Sequence, residues 1–306
     1  MNNPNVIALG FFDGVHLGHA ALLRRAKERA QALGVPALAI TFDTHPQTLL
    51  RGTPVPLLTD CKERERLMLA CCHMDKVIPL PFDREMMSMP WEDFLRRILL
   101  EQLHAAWLVC GEDFRFGNRG MGTALLLAET CRNLGIGCDI IPKIKMDGIP
   151  VSSTAIRQNL AEGNAARARL LLGRPYRLTG TVIHGAALGR TLGFPTANLQ
   201  AGAEHVLPRN GVYITRAVTA AGTFPAVTNI GCRPTVDGQN RTVEAWLLDY
   251  EGNLYGEEIS LDFYEFLREE RKFDNLFALQ KEIMDNARQT RAYFATLPVT
   301  ESEELL

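Results

Sequence analysis

The sequence has almost no net charge and lacks the features that would place it in a specialised class of proteins. Its 306 residues include 33 Lys and Arg against 35 Asp and Glu, a formal charge of −2, so no global field favours nucleic acid or an anionic membrane. It has no low-complexity tract and no internal repeat, and its composition is that of a soluble globular protein. The length suits two domains of ordinary size.

The N-terminus and the cysteines predict a cytoplasmic protein without a membrane partner. The first residues are polar and uncharged, and the apolar run that follows is too short for a signal peptide or a membrane span. The seven cysteines have neither disulfide-framework nor zinc spacing, which fits a reducing compartment. Cys71-Cys72-His73 ends an apolar helical stretch, where buried thiols are favoured over a metal site.

Apolar strands alternate with amphipathic helices in the first half of the chain. Strands are predicted at 6–9, 37–42, 76–80, 107–110 and 138–141. Helices are predicted from His16 to Gly34, from Asp60 to about Cys72, after Pro90, and over 124–134. The first helix should bury Leu22, Leu23, Ala26, Ala30 and Leu33. This alternation predicts a parallel sheet covered on both faces.

The pattern changes after a helical stretch over 153–172 that Gly163-Asn164 interrupts. Short strands are predicted at 176–183, 212–218, 224–230, 243–248 and 259–266, which indicates a small antiparallel barrel or sandwich. A last helix over about 276–294 should pack on it through Leu276, Leu279, Ile283, Ala287 and Tyr293. We therefore predict a first domain at 1–158, a connector helix at 159–172 and a second domain at 173–306.

A glycine- and histidine-rich string lies between the first predicted strand and the first helix: Gly10-Phe-Phe-Asp-Gly-Val-His16-Leu-Gly-His19. Parallel α/β sheets bind ligands at the carboxyl ends of their strands, and glycine lets backbone approach a ligand. His16 and His19 fall at the helix start, where free N–H groups favour phosphate and two imidazoles can stabilise a departing pyrophosphate. The alternative is that these histidines only cap the helix.

The whole string resembles the His-x-Gly-His nucleotidyltransferase superfamily, and in particular the FAD synthetase module of bacterial riboflavin biosynthesis enzymes. Segments 41–46, 111–117 and 151–157 agree with that module in order. The resemblance implies a Rossmann-like domain in which the FMN phosphate attacks the α-phosphorus of ATP, giving FAD and pyrophosphate, with His16 and His19 as catalytic residues. It implies ATP binding by Gly10, Phe11, Asp13, His16, His19, Asp113, Ser152, Ser153, Thr154 and Arg157. From the residues alone, Ser-Ser-Thr before a helix is also typical of an N-cap.

A second glycine-rich stretch separates the first two strands of the β domain. Thr196 and Asn198 would point the same way on an extended chain and offer oxygen ligands to Mg²⁺, although such a loop alone is typical of a hairpin. Gly189-Arg-Thr-Leu-Gly-Phe-Pro-Thr-Ala-Asn198 resembles the riboflavin kinase signature, and segments 211–213, 229–235, 254–256 and 268–273 agree. The resemblance implies ATP binding by Gly185, Gly189, Arg190, Gly193, Thr196 and Asn198, with Mg²⁺ on the last two.

Two charged residues of the β domain are further candidates. Glu244 interrupts an apolar strand, on the face opposite Val243 and Ala245. If it is buried, its pKa should rise toward that of a general base; the alternative is a solvent-facing residue. The riboflavin kinase resemblance matches Glu244 to the base that deprotonates the riboflavin 5′-hydroxyl. It matches Arg271 to a flavin-side residue, which could instead belong to a solvated charge run.

Nearly the whole chain is thus similar to the bacterial bifunctional riboflavin kinase/FAD synthetase family. The resemblance implies an enzyme that converts riboflavin to FMN and FMN to FAD, using ATP with Mg²⁺ at both sites. Two other interpretations stay open. A nucleotidyltransferase acting on another small phosphate ester would leave the β domain unused, and a flavin-sensing binding protein would have lost turnover.

Overall fold

Residue contacts divide the chain into two structural units. In the computed structural model, which describes residues 4–185, 193–235 and 238–297, the first unit ends at Ser153 and the second begins at Thr154. The helical stretch between the two sequence patterns is two helices, α7 (Ser153–Ala161) and α8 (Ala165–Leu172), separated at Gly163 and Asn164 as the sequence indicates. Apart from Ser153, these helices belong to the second unit.

The first unit is built on a parallel sheet of five strands, as predicted. Its strands lie in the order β3-β2-β1-β4-β7. They span Asn5–Leu9 (β1), Ala37–Phe42 (β2), Lys76–Leu80 (β3), Ala105–Gly111 (β4) and Gly137–Ile141 (β7). Two short ribbons follow β4 and β7: Arg115–Phe116 (β5) pairs with Gly122–Thr123 (β6), and Lys145–Met146 (β8) with Ile149–Pro150 (β9).

Helices connect these strands. They are α1 (Leu17–Leu33), α2 (Pro46–Arg51), α3 (Cys61–Ala70), α4 (Arg84–Ser88), α5 (Trp91–Asp93), a π-helical continuation of α5 (Phe94–Gln102), a 3₁₀ turn (Asn118–Gly120) and α6 (Ala124–Leu134). Asp60 caps α3 by accepting the N–H of Glu63, and Gly34 ends α1 in the left-handed conformation. Leu33 was expected in the core but is 47% exposed, because it lies in the last turn, where the chain leaves the helix.

Helices cover both faces of the sheet, and alternate residues of β1 show this directly. Val6 and Ala8 pack into a cluster with residues of α1 and α3, whereas Ile7 and Leu9 pack into a second cluster with the π-helix and α6. Cys72 is buried in the first cluster, so the buried-thiol interpretation of Cys71-Cys72-His73 holds. Among the described residues, no group of His, Cys, Asp or Glu has an arrangement that could hold a metal ion.

The second unit contains a closed antiparallel barrel, which decides between the two predicted β architectures. Its strands follow the order β10-β11-β14-β13-β12-β15. They span Tyr176–Ile183 (β10), Ala197–Ala201 (β11), Gly211–Thr219 (β12), Gly222–Thr235 (β13), Gly238–Leu247 (β14) and Glu258–Arg268 (β15). The sequence pattern did not predict β11, the strand that carries Asn198.

The C-terminal helix α9 (Leu276–Thr296) packs on the outside of this barrel. Asn275 caps it by accepting the N–H of Ala278, and Ala287 meets Val212 and Val227 of the barrel. Leu276 was expected on the packed face but is 64% exposed, because it lies in the first turn, ahead of the contact. No helix in the described part of the chain has the length and apolar character that crossing a membrane requires.

Candidate active sites

The first candidate site lies where the strand order of the parallel sheet reverses. Strand β1 has β2 on one side and β4 on the other, with Leu9 opposite Cys110 on β4. Gly10 and Gly111 therefore lie next to each other at the carboxyl edge of the sheet. The loops after two diverging strands leave a crevice at such a point, which is where open α/β sheets bind ligands.

His16 and His19 form a stacked pair at the start of α1. The ring centroids are 3.6 Å apart and the planes differ by 14°. His16 is the N-cap: its Nδ1 accepts the backbone N–H of His19 at 3.2 Å. Because capping uses Nδ1, it does not compete with contacts made through Nε2 of the same ring. A side-chain carbon at Gly18 would lie about 3.1 Å from the His16 ring, so glycine permits this packing.

Asp13 is buried and supports the glycine-rich loop. Its carboxylate accepts the backbone N–H groups of Leu58 at 3.0 Å and Thr59 at 3.1 Å. The Thr59 hydroxyl accepts the N–H of Gly14 at 3.0 Å, which joins the same two loops a second time. The Asp13 carboxylate therefore uses its oxygens to bind the backbone of residues 58 and 59. The geometry therefore favours a supporting role over direct phosphate contact.

The serines of the third family segment reach the same loop. Ser153 Oγ donates to the carbonyl oxygen of Asp13 at 2.9 Å, across a sequence separation of 140 residues. The neighbouring Val151 is buried, and its carbonyl oxygen is 3.6 Å from the position of a side-chain carbon at Gly18. The structure thus brings two distant motifs together within the first unit. Thr154 and Arg157 lie on α7 and group with the second unit.

Phe11 and Asp113 have partners that the sequence did not predict. The guanidinium of Arg64, a fully buried residue, lies 4.2 Å from the centre of the Phe11 ring. Asp113 is largely exposed and pairs with Lys143 at 3.0 Å, and this hydrogen bond raises the pKa of Lys143. Arg64 could not be found from the sequence, because its helix reads as a run of alternating charges typical of a solvated face.

The second candidate site is a row of polar residues across three barrel strands. Asn198 on β11 lies opposite Glu244 on β14, and Glu244 lies opposite Asn229 on β13. Residues directly opposite in antiparallel strands share a face of the sheet. Val243 and Ala245 on either side of Glu244 are buried, whereas Glu244 is half-exposed on the outer face. Glu244 is thus not a buried carboxylate, because the alternation of the strand turns it outward, where it lines an open cavity.

Two cavities share Thr196 as a lining residue. One cavity, of about 330 Å³, is lined by Thr196, by residues 252–254 and by two tyrosines, Tyr250 and Tyr255. The other, of about 410 Å³, is lined by Thr196, Glu244, Arg271 and apolar or aromatic residues from the barrel and α9. Both volumes fall in the range of small-molecule sites. Each cavity is thus large enough for a small ligand, and Thr196 would border both ligands.

The glycine-rich loop before β11 is only partly described. Gly185 packs against the Asn198 carboxamide so closely that a side-chain carbon at position 185 would overlap it. Gly193 has a φ of 84°, a conformation that favours glycine. Gly189 and Arg190, both predicted to bind ATP, lie outside the described residues. Gly185, at the start of this loop, therefore lies close to the Asn198 side chain.

Arg271 is held beside the larger cavity by α9. Its guanidinium forms an ion pair with Glu282 of α9, which also pairs with Arg268 at 2.9 Å. Arg271 also lies 5.0 Å from the centre of the Phe273 ring. Nearby, Glu270 accepts a hydrogen bond from Asn229 Nδ2 at 3.3 Å. Arg271 therefore lines the cavity and forms an ion pair, while its side chain stays exposed to solvent.

Comparison with known proteins also finds two parts of the chain, each similar to a different family. The family model for FAD synthetase matches residues 1–155, and the model for riboflavin kinase matches residues 172–294. A bifunctional riboflavin kinase/FMN adenylyltransferase of Pseudomonas fluorescens is 37% identical over 291 residues, covering 95% of this chain and 93% of the relative. The protein of the same description from Escherichia coli strain K12 is 37% identical over 294 residues, covering 94% and 92%.

A solved structure supports the fold over the same length. A crystal structure from Streptococcus pneumoniae, described as a macrolide-efflux protein, superposes with a TM-score of 0.85 at 28% identity, covering 95% of this chain and 97% of that one. This likeness extends over residues of both units. Since two family models and full-length relatives agree, the chain belongs to the family of bifunctional riboflavin kinase/FMN adenylyltransferases.

Proposed function

We propose that this protein phosphorylates riboflavin to FMN at the barrel site and adenylylates FMN to FAD at the sheet site, using ATP in both steps. The observation that carries the first step is the placement of Glu244 in a cavity that shares Thr196 with a second cavity. The second step rests on the paired histidines at a helix start, at the switch point of a parallel sheet.

The two barrel cavities suit the two kinase substrates. The larger one is lined with apolar and aromatic side chains, including Phe194, Trp246 and Phe273, and suits the flat flavin ring. We assign ATP to the smaller one, together with the loop that contains Gly185, Gly189, Arg190 and Gly193. The γ-phosphate would then lie near Thr196, which lines both cavities, and Arg271 would contact the flavin side.

Glu244 is the proposed general base of the kinase step. It accepts the proton of the riboflavin 5′-hydroxyl while that oxygen bonds to the γ-phosphorus of ATP and the bond from phosphorus to the ADP oxygen breaks. A neutral alcohol is a weak nucleophile, so a positioned carboxylate lowers the barrier. Half-exposure keeps Glu244 within reach of a substrate in the cavity, which a residue pointing into the barrel core would not be.

Thr196 and Asn198 are the proposed Mg²⁺ ligands. They supply a hydroxyl and an amide oxygen, and Mg²⁺ binds few protein oxygens and takes phosphate and water oxygens for the rest. The close packing of Gly185 holds the Asn198 carboxamide in place. When bound, Mg²⁺ neutralises charge on the ATP phosphates. The residues therefore fit a Mg²⁺ ion whose remaining ligands are phosphate and water oxygens.

In the adenylylation step, the FMN phosphate needs no base because it is already an anion. Its oxygen bonds to the α-phosphorus of ATP, and pyrophosphate leaves. We assign charge stabilisation to His16 and His19 at the N-terminus of α1. Gly10, Phe11, Ser152 and Ser153 would line the ATP site, and Asp13 would hold the loop. The roles of Asp113, Thr154 and Arg157 in ATP binding, and of Mg²⁺ here, rest on the family resemblance.

We further propose the division into an adenylyltransferase domain at 1–158, a connector at 159–172 and a kinase domain at 173–306. The match of the two family models to residues 1–155 and 172–294 supports it. Free thiols, seven in number, fit a reducing cytoplasm.

The test is to incubate the pure protein with riboflavin, ATP and Mg²⁺ and to resolve the flavins by chromatography. Formation of FMN and then FAD is expected, and supplied FMN should yield FAD with release of pyrophosphate. A protein that forms neither product contradicts the proposal. FMN without FAD would restrict the function to the barrel, and FAD only from supplied FMN would restrict it to the sheet.

A further inference from the structure

Asn286 is a buried polar residue in the wall of the larger barrel cavity. It lies on α9 and is 2% exposed. Its Oδ1 makes no hydrogen bond to any of the described residues. The next residue, Ala287, packs with Val212 and Val227 of the barrel, so the surroundings of the amide are apolar. A residue that lines the proposed flavin cavity thus carries a covered, unpaired amide oxygen.

A buried acceptor without a partner makes the ligand-free protein less stable, because it has lost its hydrogen bonds to water without gaining others. A leucine, which has the same branching as asparagine, would avoid that cost at this position and would suit the apolar contact between α9 and the barrel. The amide therefore has no structural advantage in the ligand-free protein. Its placement is explained if a ligand in the cavity completes its hydrogen bonds.

We propose that the Asn286 carboxamide hydrogen-bonds to the imide edge of the flavin ring and so determines which flavins the kinase site accepts. This inference rests on the proposed function. The imide N3–H is the one N–H donor of the oxidised ring, and carbonyl groups flank it. A carboxamide carries an acceptor and a donor in one plane, so Oδ1 can accept N3–H while Nδ2 donates to a ring carbonyl. The covered oxygen turns toward the entering ring by rotation about χ2, a torsion that has a broad range of accessible angles in asparagine.

The choice of the ring over the ribityl chain follows from the chemistry of this part of the cavity. Leu279 and Ile283, one helical turn apart and on the same wall as Asn286, are apolar, and Phe273 adds an aromatic ring. A polyol chain would leave its hydroxyls unpaired there, whereas a flat aromatic ring needs few polar partners, all on its edge.

The test compares the binding of riboflavin with that of N3-methylriboflavin, which lacks the N3 proton. Dissociation constants are measured without ATP by the quenching of flavin fluorescence. The wild-type protein is expected to bind riboflavin at least ~10-fold more tightly, since a site built to hydrogen-bond a group discriminates against the analogue that lacks it. Asn286→Leu and Asn286→Ala are expected to bind the two flavins within about twofold of each other. The alanine variant excludes simple filling of the cavity as the cause.

Thr290 provides a matched control. It lies one turn further along α9, is fully buried, and its hydroxyl also makes no hydrogen bond to a described residue, but it does not line the cavity. Thr290→Val should keep the preference for riboflavin. Both Asn286→Leu and Thr290→Val should raise the temperature of unfolding, because each removes an unpaired buried polar group. Only the Asn286 variant should lose discrimination.

Equal binding of both flavins by the wild-type protein, or retained discrimination in Asn286→Ala, would overturn the inference. Loss of discrimination in Thr290→Val would overturn it too, because the effect would then belong to the helix as a whole. These results are distinct from failure of the proposed function: a protein that makes FMN but does not discriminate refutes only the role of Asn286. FAD synthesis from supplied FMN should be unchanged in every variant.

Discussion

Glu244 lies directly opposite Asn198 across the β11–β14 pair, and the residue on its other side, across β13, is Asn229. Hydrogen-bonded ladders on both sides of β14 hold this row, so the proposed base and a proposed metal ligand keep a fixed separation. Opposite side chains in antiparallel strands begin about 4.5–5.5 Å apart at Cβ. Of the three proposed site residues, Thr196 and Glu244 line the larger cavity, and Asn198 lies opposite Glu244 on the neighbouring strand.

Replacement of Glu244 should separate the two activities. Glu244→Ala is expected to lower the rate of FMN formation by about 10²–10⁴-fold, because it removes the proposed general base. FAD synthesis from supplied FMN should stay at the wild-type rate, since its nucleophile is already charged. Both rates can be measured by chromatography of the flavins. Glu258→Ala, an exposed change on β15 of the same barrel, is the control and should leave both rates unaltered. Parallel loss of both activities in a folded Glu244→Ala protein would refute the two-site assignment.

A single methyl group at position 185 should impair the kinase. Gly185→Ala places a side-chain carbon into the Asn198 carboxamide and must push it away. We expect a rise of about tenfold or more in the Mg²⁺ concentration that gives half-maximal FMN formation, because misplacing a ligand weakens the site. Gly202→Ala is the control, since its nearest neighbour is the end of the exposed Glu204 side chain, which can move. An unchanged Mg²⁺ requirement in Gly185→Ala would count against Asn198 as a ligand.

His16→Asn should distinguish capping from catalysis. Asparagine is a good N-cap, so α1 should keep its stability while the imidazole is lost. FAD synthesis is expected to fall by about 10²–10³-fold, the usual loss when one group stabilising a transition state is removed, and FMN formation should be unchanged. His73→Asn is the control: His73 is exposed with a φ of 54°, which asparagine tolerates. Normal FAD synthesis in His16→Asn would leave His16 with the capping role alone.

Asp139 should give the first unit a stability that depends on pH. Burial alone would raise its pKa, but hydrogen bonds and charges from Arg29 and Arg25 outweigh burial and lower it. The stabilisation is therefore present above the pKa of an unfolded aspartate, about 3.9, and is lost as the pH falls through the lower folded value. Asp139→Asn should destabilise the unit by about 1–2 kcal/mol at pH 7 and by less near pH 3.

Amide hydrogen exchange in α1 and β7 would measure this difference, because Asp139 joins these two elements. Asp249→Asn is the control, since the ion pair of Asp249 with Arg291 is exposed and should contribute little. A stability loss in Asp139→Asn that is the same at pH 3 and pH 7 would show that the effect is one of packing rather than of charge.

The strand pattern of both units could be read from the sequence, because apolar runs and turn residues are local signals. The sequence also placed Glu244 on the face opposite Val243 and Ala245, which the register confirms. It could not say whether that face was buried, because this depends on α9 and on barrel closure. It missed β11, since Ala197–Ala201 is short and mixes polar with apolar residues.

Polar residues with buried side chains are the ones that the sequence predicts least well. Arg64 and Asn286 lie in helices whose sequences read as ordinary charged or polar surfaces, yet both side chains are buried. Asp13 stood inside a recognisable motif, but its partners, Leu58 and Thr59, are 45 and 46 residues away. Long-range contacts of this kind leave no periodic trace in a sequence.

The barrel closes by pairing β10, its first strand in the sequence, with β15, its last, and Tyr176 lies opposite Phe263 in that pair. The barrel is therefore incomplete until β15 has been made. On the ribosome, the first unit has its complete set of strands once residue 153 has emerged, whereas the barrel stays open until nearly the whole chain is made. A chain that ends before β15 therefore cannot close the barrel, whereas it still contains every strand of the parallel sheet.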